Sequence, residues 1–362
     1  MNDLRAGPFK TINGFNSIRF LCAFWVVMCH FGGPPLMVGV DKSNHLGWLI
    51  NRIYENLINA PAAVIVFFVV SGFFIHYPQT RSLRIRSLLE YGARRYIRLG
   101  VPLVASWAIS AVIWKRGLPG LVWSLWAELV YYTVYPLLLV LRRTGVGWPL
   151  MIGVALVASM LVAGSDPGAG DYPKYGTLNP ILGLPCWLIG CYAAETIRTT
   201  PFPTNHIWVW RGAVLGVTVL CSVLRFQSPI GYPWTLNIFA ILVGLWLVRE
   251  YWYFQSHEPP RLLEWAGLWS YSLYIFHVQA YWVYSDVDYM LDLPNLGYIL
   301  NWSIMMSVIL VTCWLFGRII ELPSHEFARW VGGRLSRNAR AAKADMALES
   351  WPRLPASNLA SD

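Results

Sequence analysis

The sequence predicts an all-α fold: a polytopic integral membrane protein of about ten transmembrane helices with both termini cytoplasmic. Three observations carry this prediction. The first is composition: of 362 residues, 56% are apolar and 13% charged, with a mean hydropathy of +0.45, against about 25% charge in a soluble domain. So little polar surface cannot cover so much apolar surface in water. The second is that the apolar residues are bunched into runs of roughly 17 to 25 residues, the length a helix needs to cross about 30 Å of hydrocarbon at 1.5 Å per residue. The third is that lysine and arginine concentrate on alternate connections between those runs.

Taken in order, the predicted spans are 15–32, 57–77, 99–114, 121–141, 147–164, 178–195, 206–224, 234–254, 265–284 and 297–318. With the N-terminus inside, Arg81, Arg84, Arg86, Arg94, Arg95 and Arg98 share the second-to-third connection on the cytoplasmic side. Arg142, Arg143, Arg198, Arg261 and the basic tail from Arg329 to Lys343 fall there too, whereas Lys42, Arg52, Lys115, Arg116, Lys174 and Arg225 fall outside. The third span is the weakest, being short, opened by Pro102 and separated from the fourth by KRGLPG alone. Twenty tryptophans and nineteen tyrosines suit two membrane interfaces.

The net charge of +9 is accounted for by orientation in the bilayer, so nucleic acid is not an expected partner. Six cysteines, all in or beside apolar runs and without a CxxC pair, read as buried small hydrophobes and not as a metal site. Residues 1–14 read as a cytoplasmic segment entering an uncleaved first span, residues 15–334 as one membrane domain with no soluble catalytic domain attached, and 335–362 as a basic, disordered tail.

Chemistry concentrates at a few intramembrane positions. Arg19 and His30 interrupt the otherwise apolar FNSIRFLCAFWVVMCHFGG, and ionisable residues inside a span are costly enough to be functional candidates. Eleven helical residues turn through about 1,100° and rise about 16.5 Å, so both side chains leave one face at two depths. The plainer alternative has Arg19 reaching the headgroups and His30 satisfied at the interface. In LLEYGARRYIRLGVP, Arg94, Arg95 and Arg98 lie about one turn apart, and guanidinium groups suit phosphate oxygens; anchoring on anionic lipid is the alternative. Glu128, in WSLWAELVYYTVYP, needs a partner or a proton at that depth. Ser270, Tyr274 and His277 punctuate LWSYSLYIFHVQAYW, where hydrogen-bonded packing competes with a role in a site. His45, His76, His206, His257 and His325 read as surface or interfacial.

Together these pieces resemble the acyltransferase 3 family of membrane acyltransferases, from about Phe15 to Pro323. The matches are the R-x10-H of Arg19 and His30, FFVVSGFF around Ser71, RRYIR ending at Arg98, WSLWAELVYY around Glu128, SYSLYIFH from Ser270 to His277, and ELP at Glu321. Where the family commonly has an acidic residue and glycine before the first arginine, this chain has Asn16 and Ser17, and its loop before WSL is short.

The resemblance implies an O-acetyltransferase of the inner membrane of a bacterium. Acetyl-CoA or another acyl-CoA is then the co-substrate, no cofactor is tightly bound, and the acceptor is a sugar hydroxyl of an exopolysaccharide, O-antigen or lipid-linked glycan. It implies a donor site of Arg94, Arg95, Arg98 and Ser71, catalysis by His30 with Glu128 and Arg19, and support from Tyr132, Ser270, Tyr274 and His277. His30 is expected to serve as general base or to carry the acyl group, with Glu128 orienting His30 or the acceptor. A flippase for a lipid-linked sugar is the competing expectation, although no paired repeat is visible.

Overall fold

The computed structural model describes residues 12–85, 87–117, 122–292 and 294–349. The segment before residue 12, Arg86, residues 118–121 at the KRGLPG connection, Leu293 and the tail beyond 349 lie outside the described residues. The chain is all-helical, with no strand among the described residues. Its helices are α1 (Phe15–Phe31), α2 (His45–Leu57), α3 (Ala60–His76), α4 (Leu88–Ile113), α5 (Val122–Arg143), α6 (Trp148–Ser165) and α7 (Asn179–Thr199). There follow α8 (Ile207–Gln227), α9 (Tyr232–Tyr253), α10 (Arg261–Gly267), α11 (Ser270–Leu291), α12 (Tyr298–Phe316) and α13 (Leu322–Glu349).

A helix coincides with each of the ten predicted segments, but among the described residues eight are long and apolar enough to cross a membrane. α1 is apolar and shorter, at 17 residues, and α11 is long enough but carries Ser270, Ser272, His277, Gln279, Asp286 and Asp288. Two boundaries and one whole helix differ from expectation. α4 begins at Leu88, not near residue 99, so the arginine cluster lies within the helix and Pro102 in its interior. Ser87 caps its start, its side chain accepting from the Glu90 amide. α13 continues helical past Arg334 to Glu349, into the stretch expected to lack order. α2 was not foreseen at all. Its apolar Leu46, Leu49, Ile50, Ile53 and Leu57 fall at helical spacing opposite Arg52, Glu55 and Asn56, and its start is capped by Asn44.

The centre of the bundle is the pair α3 and α7, apolar along most of their lengths and largely buried. They touch backbone to backbone: a Cβ on Gly190 would lie 1.9 Å from the Val69 carbonyl oxygen, and one on Gly72 would lie 2.0 Å from that of Trp187. Small residues allow such approach, which gains van der Waals contact where lipid offers no hydrophobic drive. This accounts for the SG of FFVVSGFF. α4, α6, α8 and α12 are mostly exposed along their lengths, as lipid-facing helices should be.

Two short devices lock the ends. Gly267 of α10 approaches Asn16 so closely that a Cβ would stand 2.2 Å from the Asn16 carbonyl oxygen. Glu264 accepts hydrogen bonds from the Ser17 amide at 2.8 Å and the Ser17 hydroxyl at 2.7 Å, satisfying free donors at the start of α1. A π-turn at Gly317–Glu321 joins α12 to α13 and turns the Glu321 carboxylate inward, where it accepts from the Ser272 amide and hydroxyl at 2.9 and 2.6 Å. Of the cysteines, Cys186, Cys191, Cys221 and Cys313 are buried as expected, but Cys29 is exposed.

Candidate active site

A cavity of about 620 Å³ opens between α1, α3, α4, α5, α11 and the start of α13. Arg19, Ser71, Arg95, Arg98, Glu128, Tyr132 and Tyr274 all line it, brought together from five helices. Each arrives for a local reason. The start of α4 presents Arg95 and Arg98 about one turn apart, and α1 contributes Arg19 because its apolar neighbours Ile18, Ala23, Val26 and Val27 are buried in the bundle.

Glu128 is held within the cavity wall. Its Oε1 accepts from the Ser71 hydroxyl at 2.7 Å and from the Tyr132 hydroxyl one turn along α5. Trp187 Nε1 donates to Ser71 Oγ at 3.3 Å, so the central α3–α7 pair also fixes this hydroxyl. The Arg95 guanidinium lies 6.0 Å from the centre of the Tyr132 ring. Among the described residues, Arg19, Arg95 and Arg98 have no carboxylate within ion-pairing distance. Arg19, Arg95 and Arg98 thus converge with Arg329 on one partly open space against a single lining carboxylate, Glu128; Glu321 is buried outside the lining. Such a cavity favours an anion.

The cavity stops short of His30. On α11 it is lined by Tyr274, whose hydroxyl lies 2.6 Å from Ser124 Oγ, with Phe67 edge-on to the Tyr274 ring at 5.6 Å. One turn further along α11, His277 is fully buried and its Nε2 lies 2.8 Å from His30 Nδ1. Arg19 and His30 thus share a helix, but of the two only Arg19 lines the cavity.

The pairing of the two histidines assigns their tautomers. His277 Nδ1 faces only carbonyl oxygens, of Tyr274 at 2.9 Å and Leu273 at 3.1 Å, so in the neutral ring the proton is on Nδ1. Its Nε2 must then accept, and the proton between the rings sits on His30 Nδ1. His30 Nε2 is left with a free lone pair. The His30 ring is itself exposed, beside Phe31, which stacks on Tyr281 at 4.5 Å. Glu128 does not orient His30, because its contacts are Ser71 and Tyr132; the residue that holds the imidazole is His277.

Other predicted residues stand elsewhere. Arg94 pairs with Glu90 at 2.7 Å along α4, away from the cavity lining. Ser270 donates to the Gly267 carbonyl at 2.9 Å, joining α11 to α10. His76 is not superficial: it is buried, with Nδ1 2.9 Å from the Tyr135 hydroxyl and Nε2 3.6 Å from Glu195. His325 is not superficial either, since it lines the cavity with Arg329. His325 and Arg329 were missed as a pair because they follow the last apolar run; only their spacing of four on a helix that continues beyond ELP hints at a common face.

The family model described as an acyltransferase domain, acyltransferase 3, matches residues 12–318. No curated protein and no solved structure matches the chain.

Proposed function

This chain belongs to the acyltransferase 3 family and is a membrane acyltransferase; from that premise we propose that it is an O-acetyltransferase taking acetyl from acetyl-CoA at its arginine-rich end and placing it on a sugar hydroxyl of an exopolysaccharide, O-antigen or lipid-linked glycan. On this reading the arginine-rich end is cytoplasmic, both termini lie there, and the membrane is the inner membrane of a bacterium. The observation that carries the reading is the convergence of Arg19, Arg95 and Arg98, none paired with a carboxylate among the described residues, on one cavity. Guanidinium groups suit phosphate oxygens, and a volume of about 620 Å³ suits a pantetheine arm with its acyl group.

The donor's phosphates lie against Arg95 and Arg98, with the pantetheine directed past Arg19 and Ser71 toward Tyr274. For the thioester to meet His30, the Tyr274–Ser124 contact opens. The acceptor reaches the exposed His30 from the opposite end. His30 Nε2 takes the proton of the attacking hydroxyl as its oxygen bonds to the thioester carbon; the carbon–sulfur bond then breaks, and the proton passes to the departing thiolate. A base positioned in this way contributes about 10²- to 10⁴-fold. Arg19 supplies positive charge along the path of the donor. Glu128, held by Ser71 and Tyr132, offsets the mutual repulsion of the arginines and offers a carboxylate to the donor's amide groups.

The test is transfer of labelled acetyl from acetyl-CoA to glycan in membranes containing the protein. His30→Ala is expected to abolish transfer at unchanged protein level; retained transfer removes His30 from the mechanism, and absence of transfer from acyl-CoA by the parent protein removes the assignment.

A further inference from the structure

α13 begins where the family match ends, and its first turns present Leu322, His325 and Arg329 to the cavity at spacings of three and four, one face of a helix. The placement is fixed from two sides. Glu321 is anchored by Ser272, and α13 lies along the start of α4, close enough that a Cβ on Gly332 would meet the Arg94 side chain at 2.9 Å. His325 is mostly buried, yet its Nε2 has no hydrogen-bond partner; the nearest carboxylate oxygen, of Glu321, is 3.8 Å away. Arg98, Arg19 and Arg329 line the same cavity. When the ring proton is on Nε2, that nitrogen is a buried donor without an acceptor in a cationic surrounding, which an anion completes.

We propose that His325 and Arg329 form a second anion subsite, outside the one made by Arg95 and Arg98, and that it takes the 3′-phosphate of the coenzyme A donor. The inference rests on the donor assignment above. Coenzyme A carries two separated phosphate groups: the pyrophosphate at the end of the pantetheine arm, and the 3′-phosphate on the ribose beyond it. Arg95 and Arg98, the more buried pair, are placed for the first. Arg329 is exposed at the rim and therefore placed for the group farther from the thioester. With its proton on Nε2, His325 donates to a phosphate oxygen beside the Arg329 fork.

The test is calorimetric binding of two probes, coenzyme A and 3′-dephospho-coenzyme A, to the purified full chain. The parent protein is expected to bind coenzyme A about ten-fold tighter or more, as expected of a charge-assisted pair. Arg329→Gln should remove most of that preference while leaving affinity for the dephospho probe within about two-fold, which also reports that the variant is folded. His325→Leu should reduce the preference by about three-fold. Equal affinity of the parent for both probes, or an Arg329→Gln loss shared equally by both, overturns the subsite while leaving the donor assignment standing. Failure of the parent to bind either probe overturns the donor assignment and the subsite with it.

Discussion

Replacing His277 by leucine separates positioning from packing at the candidate base. His277 is fully buried, and its Nδ1–H is directed to carbonyls of its own helix while Nε2 accepts from His30 Nδ1 at 2.8 Å. Leucine keeps an apolar side chain in the site, and the Leu273 carbonyl retains the ordinary helical bond, so the fold loses little: one neutral hydrogen bond is worth about 1 kcal/mol. Catalysis loses more. Without its acceptor, the His30 imidazole can carry its proton on Nε2, the nitrogen required to be free, and its ring is no longer held. That loss is expected to be about 10- to 100-fold in kcat, or about 1.4 to 2.8 kcal/mol, a fraction of what removing the base outright costs. The assay is the initial rate of labelled acetyl transfer per molecule of protein, alongside the apparent KM for acetyl-CoA. His277→Gln, whose amide oxygen can accept from His30, should recover part of kcat. Unchanged kcat in the leucine variant, or a fall matched by lost protein and not recovered by glutamine, would refute the positioning argument.

The other predictions concern the donor cavity and the bundle centre. Arg95→Ala and Arg98→Ala should each raise the KM for acetyl-CoA about ten-fold at near-normal protein levels, measured by steady-state transfer in membranes; loss of membrane insertion with an unchanged donor requirement would favour the lipid-anchoring role instead. Glu128→Gln keeps an oxygen for Ser71 and Tyr132 but removes negative charge among the arginines, so coenzyme A affinity should hold or rise while kcat falls; calorimetry with the purified variant decides this. Gly190→Ala places a methyl group 1.9 Å from the Val69 carbonyl oxygen and should cost about 3 kcal/mol or more. Thermal unfolding in detergent should show a sharply lowered midpoint, whereas alanine at Gly212, which meets nothing within 4 Å, should leave it unchanged.

Much of this protein was legible one helix at a time. Apolar run length located a helix at each predicted segment, because hydrocarbon thickness imposes a length that appears directly in the sequence. The cost of burying charge singled out Arg19 and Glu128, which line the cavity, and His30, which is held by His277. What lay beyond reach was whatever depends on one helix meeting another. The hydrogen bond between His30 and His277 joins residues 247 apart, and no period in either helix encodes it. Glu128 was expected to serve His30, yet the proximity of α3 and α5 gives it Ser71 and Tyr132 instead. His325 follows the last apolar run and reads as surface, until the π-turn and the packing of α13 on α4 fold it over the cavity. Solvent imposes the lengths and the polarity pattern, which are local; the juxtapositions that allow chemistry arise from close packing between helices, which only the tertiary structure decides.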